Sequence, residues 1–309
     1  MCGIAGIIYR NGAGDHEVGR DMTKMLQAMK HRGPDSTGYA LYRGAGDTFV
    51  MHVKVSEARG DDPELARPVQ RQRGQIEARL RTAGARVEEV KNTPRTMTVS
   101  FGFEGDLKLL VDSVERVRHT EVLSLGRSLE IIKDLGDAET VSELYGLGEL
   151  VGTHAIGHAR MATESDVDIA NAHPYWAYPF PDVAVVHNGQ LTNFHYWRRR
   201  LQRSGHRFQS ECDSEIIAVY LAAQMSEGRS LAEAMRQSLS DLDGVFTYIC
   251  VTEDALGVAK DELGAKPLVL YEDDDLVALA SEEIAIRQVL DREIETHDPY
   301  EGEVRVWNR

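Results

Sequence analysis

The stretch that most constrains this chain is its opening, Met1-Cys2-Gly3-Ile4-Ala5-Gly6-Ile7-Ile8-Tyr9. An uninterrupted apolar run from Ile4 to Tyr9 is expected to be a buried strand, and Gly3 and Gly6 leave room for backbone or substrate to approach it closely. The same stretch carries a possible nucleophile. If Met1 is removed, Cys2 becomes the first residue and holds both a thiol and a free α-amine. A thiol is mostly protonated at neutral pH, and an α-amine with a pKa of about 8 is well matched to accept its proton. N-terminal nucleophiles activated by their own amine are an established form of covalent catalysis. The bland alternative is a small apolar residue opening a strand.

Composition narrows the classes. With 309 residues, 42% of them hydrophobic, the chain can bury a sizeable core as one large domain or as a domain with an insertion. No apolar run reaches the eighteen or so residues of a membrane span and no leader precedes Cys2, so a cytoplasmic protein is expected. A net charge of −15 disfavours nucleic acid, whose binding relies on clustered basic groups. The one basic knot, Arg198, Arg199, Arg200 and Arg203, is expected on the solvated face of a helix or at a subunit contact. Cys2, Cys212 and Cys250 are widely spaced, which gives neither a disulfide framework nor a zinc signature.

Along the chain, Val18, Met22, Met25, Leu26 and Met29 recur at helical spacing, and a turn-rich run, His31-Arg32-Gly33-Pro34-Asp35, leads to a strand over Tyr39 to Tyr42. From 61 to 118 the composition becomes charge-rich. Helices are expected near Glu64 to Arg81 and Asp106 to Val117, with a half-buried strand over Arg95 to Phe101, so 61–118 reads as an inserted α/β subdomain in a main domain of 2–60 and 119–309. Glu121 to Asp134 and Val151 to His158 return to strands. Val183 to His187 reads as a buried strand ending in Asn188-Gly189, by itself a strong turn signal. Glu211 to Glu215 opens a helix with Asp213 or Ser214 as its cap, and a further helix covers Leu231 to Leu239. Gly244 to Thr252 pairs with Leu256 to Lys260, and Gly264 to Leu268 and Leu276 to Ser281 close the sheet. Strands that alternate, interspersed with helices, argue for an α+β layered architecture of antiparallel sheets.

Taken together, Cys2-Gly3-Ile4, His31 to Asp35, Gly157-His158-Ala159-Arg160-Met161-Ala162-Thr163, Asn171-Ala172-His173, His187-Asn188-Gly189, Asp213-Ser214-Glu215 and Gly264 to Leu268 resemble, in content and order, the class II glutamine amidotransferases. That resemblance implies an N-terminal nucleophile hydrolase, a four-layer αββα sandwich of antiparallel sheets. It implies that Cys2 attacks the amide of glutamine, releasing ammonia and forming a γ-glutamyl thioester. Asn188 and the amide of Gly189 would form the oxyanion hole, Arg160 and Thr163 would hold the substrate carboxylate, and Asp213 its ammonium, with His173 and Arg32 also on the substrate side. His154, His158, His173 and His187 could suggest a metal, but satisfied structural histidines are the expected reading.

Met161 follows the arginine where many members have Trp, and Glu164 follows the threonine where some have His. The run Arg160 to Ser165 looks most like the amidotransferase subunit of the glutamate-synthase-like group that includes N-methylglutamate synthase. The expected partner is therefore a flavin-containing synthase subunit in a hetero-oligomer. FMN, with or without an iron–sulfur cluster, would lie on that partner and no cofactor on this chain. Alternatives from the same residues are a catalytically silent structural or regulatory subunit, a glutamyl-transferring subunit using glutamate, and a peptidase or acylase of the same hydrolase class.

Overall fold

The computed structural model describes residues 2–10, 16–44, 46–56, 63–161, 169 and 171–309. The chain opens with β1 (Gly3–Tyr9), α1 (Val18–Ala28), β2 (Ser36–Tyr42), β3 (Phe49–Lys54), α2 (Pro63–Thr82), β4 (Arg86–Asn92), β5 (Thr96–Gly102) and α3 (Leu107–Glu115). It continues through β6 (Glu121–Gly126), β7 (Leu129–Leu135), α4 (Ala138–Tyr145), β8 (His154–Arg160), β9 (Tyr175–Trp176), β10 (Ala184–Leu191) and α5 (Phe194–Arg203). The last third comprises α6 (Ser214–Ser226), α7 (Leu231–Asp241), β11 (Gly244–Val251), β12 (Ala255–Lys260), β13 (Val269–Glu272), β14 (Leu276–Ala280), α8 (Glu283–Arg287) and β15 (Val304–Asn308).

Strand β1 lies inside a six-stranded sheet of order β13-β14-β1-β8-β2-β7, flanked antiparallel by β14 and β8. Its side chains alternate between two apolar environments, as the two-residue period of a strand requires. Ile4 and Ile8 belong to a core shared with Ala184, Val186, Ile249 and Val258 of the five-stranded sheet β15-β12-β11-β10-β9. Ala5 and Ile7 face the other way, toward Val18, Met22, Met25 and Leu26 of α1 and Ala285 of α8. On the far side of the second sheet, Val185, Tyr248 and Cys250 pack on Ile217, Leu221 and Met235 of α6 and α7. Two antiparallel sheets face to face with helices outside each give four layers, the αββα sandwich of the N-terminal nucleophile hydrolases. The methionines of α1 are core filler, all fully buried.

The segment 61–118 supplies α2, β4, β5 and α3. Its strands join a third sheet of order β4-β5-β3-β6, hydrogen-bonded to β3 and thus to residues before 61. Val99, Phe101, Ile76 and Val111 there run on without a break into the apolar layer between the two large sheets. Arg199, Arg200 and Arg203 are exposed on α5, as a solvated face or a subunit contact requires, whereas Arg198 is half-buried and donates to the carbonyl of Ser210 at 2.8 Å. Among the described residues no helix is long and apolar enough to cross a membrane.

Two local expectations need correction. Strand β10 does not end at Asn188-Gly189 but runs on to Leu191, with Asn188 opposite Thr247 and Gly189 opposite Phe246. Partner strand β11 supplies main-chain hydrogen bonds past the dipeptide, so cross-strand pairing overrides the local turn preference. Gly264 to Leu268 is not a strand; pairing with β14 begins at Val269.

Glycine is required where backbones meet. A Cβ on Gly38 of β2 would stand 1.9 Å from the carbonyl oxygen of His173. Gly38→Ala should therefore lower stability by about 1–3 kcal/mol, the range for overpacking a tight interior. Urea unfolding of the purified variant checks this, and an unchanged midpoint would show that the two segments are not so closely apposed.

Candidate active site

The register of β1 against β8, with Gly3 opposite Ala159, brings Cys2 beside Arg160 and Met161. Its Sγ lies 3.9 Å from the carbonyl oxygen of Met161. Two side chains converge on the carbonyl of Cys2. Arg32, in the short 3-10 turn Lys30–Arg32, donates from Nε at 3.0 Å, and Asn188 donates from Nδ2 at 3.3 Å. The first comes from the turn after α1 and the second from β10, so Cys2, at the head of β1 in the six-stranded sheet, is also held from the five-stranded sheet. Arg32 also donates from Nη1 to Glu282 at 2.6 Å. Its Nη2 is buried with no hydrogen-bond partner among the described residues.

The turn-rich run His31 to Asp35 is shaped by its glycine. A Cβ on Gly33 would come within 2.3 Å of the carbonyl carbon of Arg160 and 2.6 Å of the amide nitrogen of Met161. Only a residue without a side chain lets this turn press on the end of β8, where the amide of Asp35 donates to the carbonyl of Arg160 at 3.1 Å. Gly189 meets a similar constraint: its φ is +142°, and a Cβ there would fall 2.1 Å from the carbonyl oxygen of Val245. Position 189 therefore combines a backbone conformation that disfavours side chains with no space for one.

Asp213 takes the cap position expected of it, before α6, but its carboxylate makes no capping hydrogen bond. Instead Oδ2 accepts from the amide of Leu191 at 2.7 Å and Oδ1 from the hydroxyl of Ser214 at 3.2 Å. It thereby joins the end of β10 to the start of α6. Nδ1 of His187 is 4.0 Å from Oδ1. Arg160 ends β8 and is 7% exposed. Thr163, like Ala162 and Glu164, lies outside the described residues.

Behind Cys2 the histidines form a buried layer. His158 and His173 stack with centroids 4.0 Å apart and planes 9° from parallel, and His173 meets Tyr175 edge-on. His158 Nε2 is 3.2 Å from the carbonyl of His187, and His187 Nδ1 is 2.7 Å from Ser214 Oγ. The expectation of satisfied histidines holds only in part. Both nitrogens of His173, Nδ1 of His158 and Nε2 of His187 have no hydrogen-bond partner among the described residues. Burial pushes the pKa of His158 down to about 3 and those of His173 and His187 below the usual value, so the rings are neutral at pH 7. Among the described residues no group of three or more His, Cys, Asp or Glu side chains is arranged to hold a metal ion. Lys133 of β7, which sequence reasoning passed over, donates to the carbonyl of Ala172 at 2.9 Å and so pins the segment carrying His173.

Residues 158–288 match a family described as a glutamine amidotransferase domain. Along 99% of its length the chain is 40% identical to a protein of Methanothermobacter thermautotrophicus provisionally named a glutamine amidotransferase, covering 99% of that protein. The chain belongs to the class II glutamine amidotransferases. It is also 34% identical, over 95% of its length and 93% of the relative's, to the glutamine amidotransferase-like protein GlxB of Rhizobium meliloti. Among solved structures, glutamine PRPP amidotransferase from B. subtilis shares the fold, with a TM-score of 0.61 at 20% identity. That match covers 99% of this chain and 47% of the longer one.

Within the amidotransferase fold, a second residue that sequence reasoning missed is Glu282. Its only local signal is an acidic residue just past a predicted strand, and its pairing with Arg32 spans 250 positions.

The buried imidazoles give a pH prediction. His52 and His154 are pushed down to about 4 and His158 to about 3, in each case chiefly by burial. Each unfolded ring takes up a proton near pH 6.5 that the folded ring refuses, so the stability they contribute is complete above that pH and is lost as pH falls below it. Each ring should cost about 1.4 kcal/mol per pH unit in that window. The urea midpoint should drop clearly between pH 7 and pH 5; a flat midpoint would mean that the rings are not held neutral.

Proposed function

We propose that this chain is the glutaminase subunit of a glutamate-synthase-like or N-methylglutamate-synthase-like complex, with Cys2 as its nucleophile. The observation that carries the reading is the convergence of Arg32, from the turn after α1, and Asn188, from β10 of the facing sheet, on the carbonyl of Cys2. A thiol at the head of a buried strand, with its own main chain held by two side chains, is oriented before substrate arrives, and such preorganisation is a large part of catalysis.

In the proposed reaction, removal of Met1 frees the α-amine of Cys2, which accepts the thiol proton. The sulfur then attacks the side-chain carbonyl carbon of glutamine. Asn188 Nδ2, already aimed at the Cys2 carbonyl, and the amide of Gly189 stabilise the oxyanion. The tetrahedral intermediate collapses, the C–N bond breaks, and the ammonium at Cys2 returns its proton to the leaving ammonia. Water resolves the γ-glutamyl thioester to glutamate and free thiol. Arg160 suits a bidentate grip on the substrate carboxylate, a role assigned to it together with Thr163, and Asp213 suits the ammonium. Arg32 and His173 are assigned to the substrate side with them. Residues 61–118 are assigned to an inserted subdomain.

The ammonia would pass to a flavin-containing synthase subunit in a hetero-oligomer. FMN, with or without an iron–sulfur cluster, is assigned to that partner. What supports this finer assignment is the resemblance of the run Arg160 to Ser165. Co-purification from the native source with mass-spectrometric identification of bound subunits and flavin tests it, and a chain that elutes alone and flavin-free would sink it.

For the half-reaction, Cys2→Ala should abolish glutamine hydrolysis and labelling by a glutamine-analogue electrophile, with unchanged turnover refuting the nucleophile. Asn188→Ala should lower kcat by about 10²- to 10³-fold, the usual cost of losing one oxyanion-hole donor. Asp213→Asn should act mainly on KM.

A further inference from the structure

The dipeptide Ser281-Glu282 follows β14 and meets the head of β1 twice. Ser281 is 2% exposed; its Oγ accepts from the amide of Ile4 at 3.0 Å, and its own amide donates to the carbonyl of Ile4 at 2.9 Å. One residue on, the Glu282 carboxylate accepts from Arg32 Nη1 at 2.6 Å, while Nε of the same guanidinium holds the carbonyl of Cys2 at 3.0 Å. His31 reaches the same carboxylate at 3.1 Å.

The ordinary uses of an acidic residue here do not account for it. Glu282 occupies the position before α8, yet its side chain makes no capping bond to that helix. Nor is its pairing with Arg32 a loose surface contact, since the Arg32 side chain is only 9% exposed and is anchored at its other edge to Cys2. An ion pair with one partner buried and doubly engaged has a fixed geometry that exposed pairs lack. Burial alone would raise the Glu282 carboxyl, but the hydrogen bonds from Arg32 and His31 prevail and hold it below the usual range. It is therefore ionised at neutral pH and keeps its grip on the guanidinium.

We propose that Glu282 is a positioning residue for the amidotransferase reaction: it fixes Arg32, and through Arg32 it sets the orientation of Cys2, while Ser281 fixes Ile4 two residues further along the chain. This rests on Cys2 being the nucleophile. The substrate need not touch Glu282 for its loss to matter, because small displacements of a reacting group are costly.

The test measures glutamine hydrolysis by the full chain carrying Glu282→Ala, Glu282→Gln, Arg32→Ala, the Arg32→Ala/Glu282→Ala pair, or Cys2→Ala. Glu282→Ala should lower kcat by about tenfold to a hundredfold with KM changed by less than about threefold. Glu282→Gln, which keeps an oxygen acceptor for Arg32, should restore kcat to within about threefold of the wild type. In the Arg32→Ala background, Glu282→Ala should add less than about twofold, because its effect runs through that guanidinium. Thermal midpoints establish that the variants are folded; were Glu282→Ala to unfold, the Gln variant and the Arg32→Ala background would still decide. A Glu282→Ala enzyme with kcat within about twofold of wild type, or full additivity in the pair, overturns the positioning role. Activity retained by Cys2→Ala overturns the nucleophile and this inference with it, whereas an inactive Cys2→Ala beside an unaffected Glu282→Ala overturns this inference alone.

Discussion

Burial of both faces of β1 is the constraint on which the rest depends. Ile4 and Ile8 reach one apolar layer and Ala5 and Ile7 the other, so a slip of one residue would exchange every side chain between the two. Burying each isoleucine contributes about 1.5–3 kcal/mol, against about 0.5–1.5 kcal/mol for a typical hydrogen bond. Apolar burial thus decides where the strand lies, and the polar contacts from Arg32, Asn188 and Ser281 refine how its first residues are held. Cys2 is delivered to the end of the sheet by a strand that cannot easily move, which suits a group that must meet its substrate in one orientation.

Behind this strand the protein buries several imidazoles and leaves some of their nitrogens without partners. Keeping these rings neutral lowers the cost, since a charged ring in the same place would demand far more compensation. His158 faces the second sheet opposite Ile4 and approaches the carbonyl of His187, so the stacked rings help bridge the two sheets beneath the site. Asp213 plays a comparable part at the edge, tying β10 to α6 through the amide of Leu191. The site draws Cys2 from the head of β1, Arg160 from the end of β8 and Asn188 from within β10. Its polar side chains are nonetheless largely buried, Asn188 and Arg160 among them.

Much of this was legible in the chain. The apolar run after Cys2, the helical spacing of the α1 methionines and the apolar stretch that opens β10 each carry a pattern that maps directly onto burial. The errors share a cause. Asn188-Gly189 has the composition of a tight turn and Asp213 that of a helix cap, and both preferences are real at the level of a few residues. Each is overridden by a neighbour distant in sequence, Phe246 and Thr247 in one instance and Leu191 in the other. Glu282 was illegible for the same reason, its function residing in a contact with Arg32 that no local pattern encodes.

By itself the sequence determined the layered α+β class, the buried strand that opens it, and the ordered set of motifs that places the chain among the class II glutamine amidotransferases. Those properties rest on periodicity and on residue identity, which a linear chain carries openly. Only the tertiary structure decided that Arg32 and Asn188 close on one carbonyl, that Gly33 and Gly189 are required by backbone crowding, and that Glu282 belongs with them. Such juxtapositions depend on which strand ends meet when two sheets pack, and that is set by the sum of many small apolar contacts rather than by any single stretch of residues.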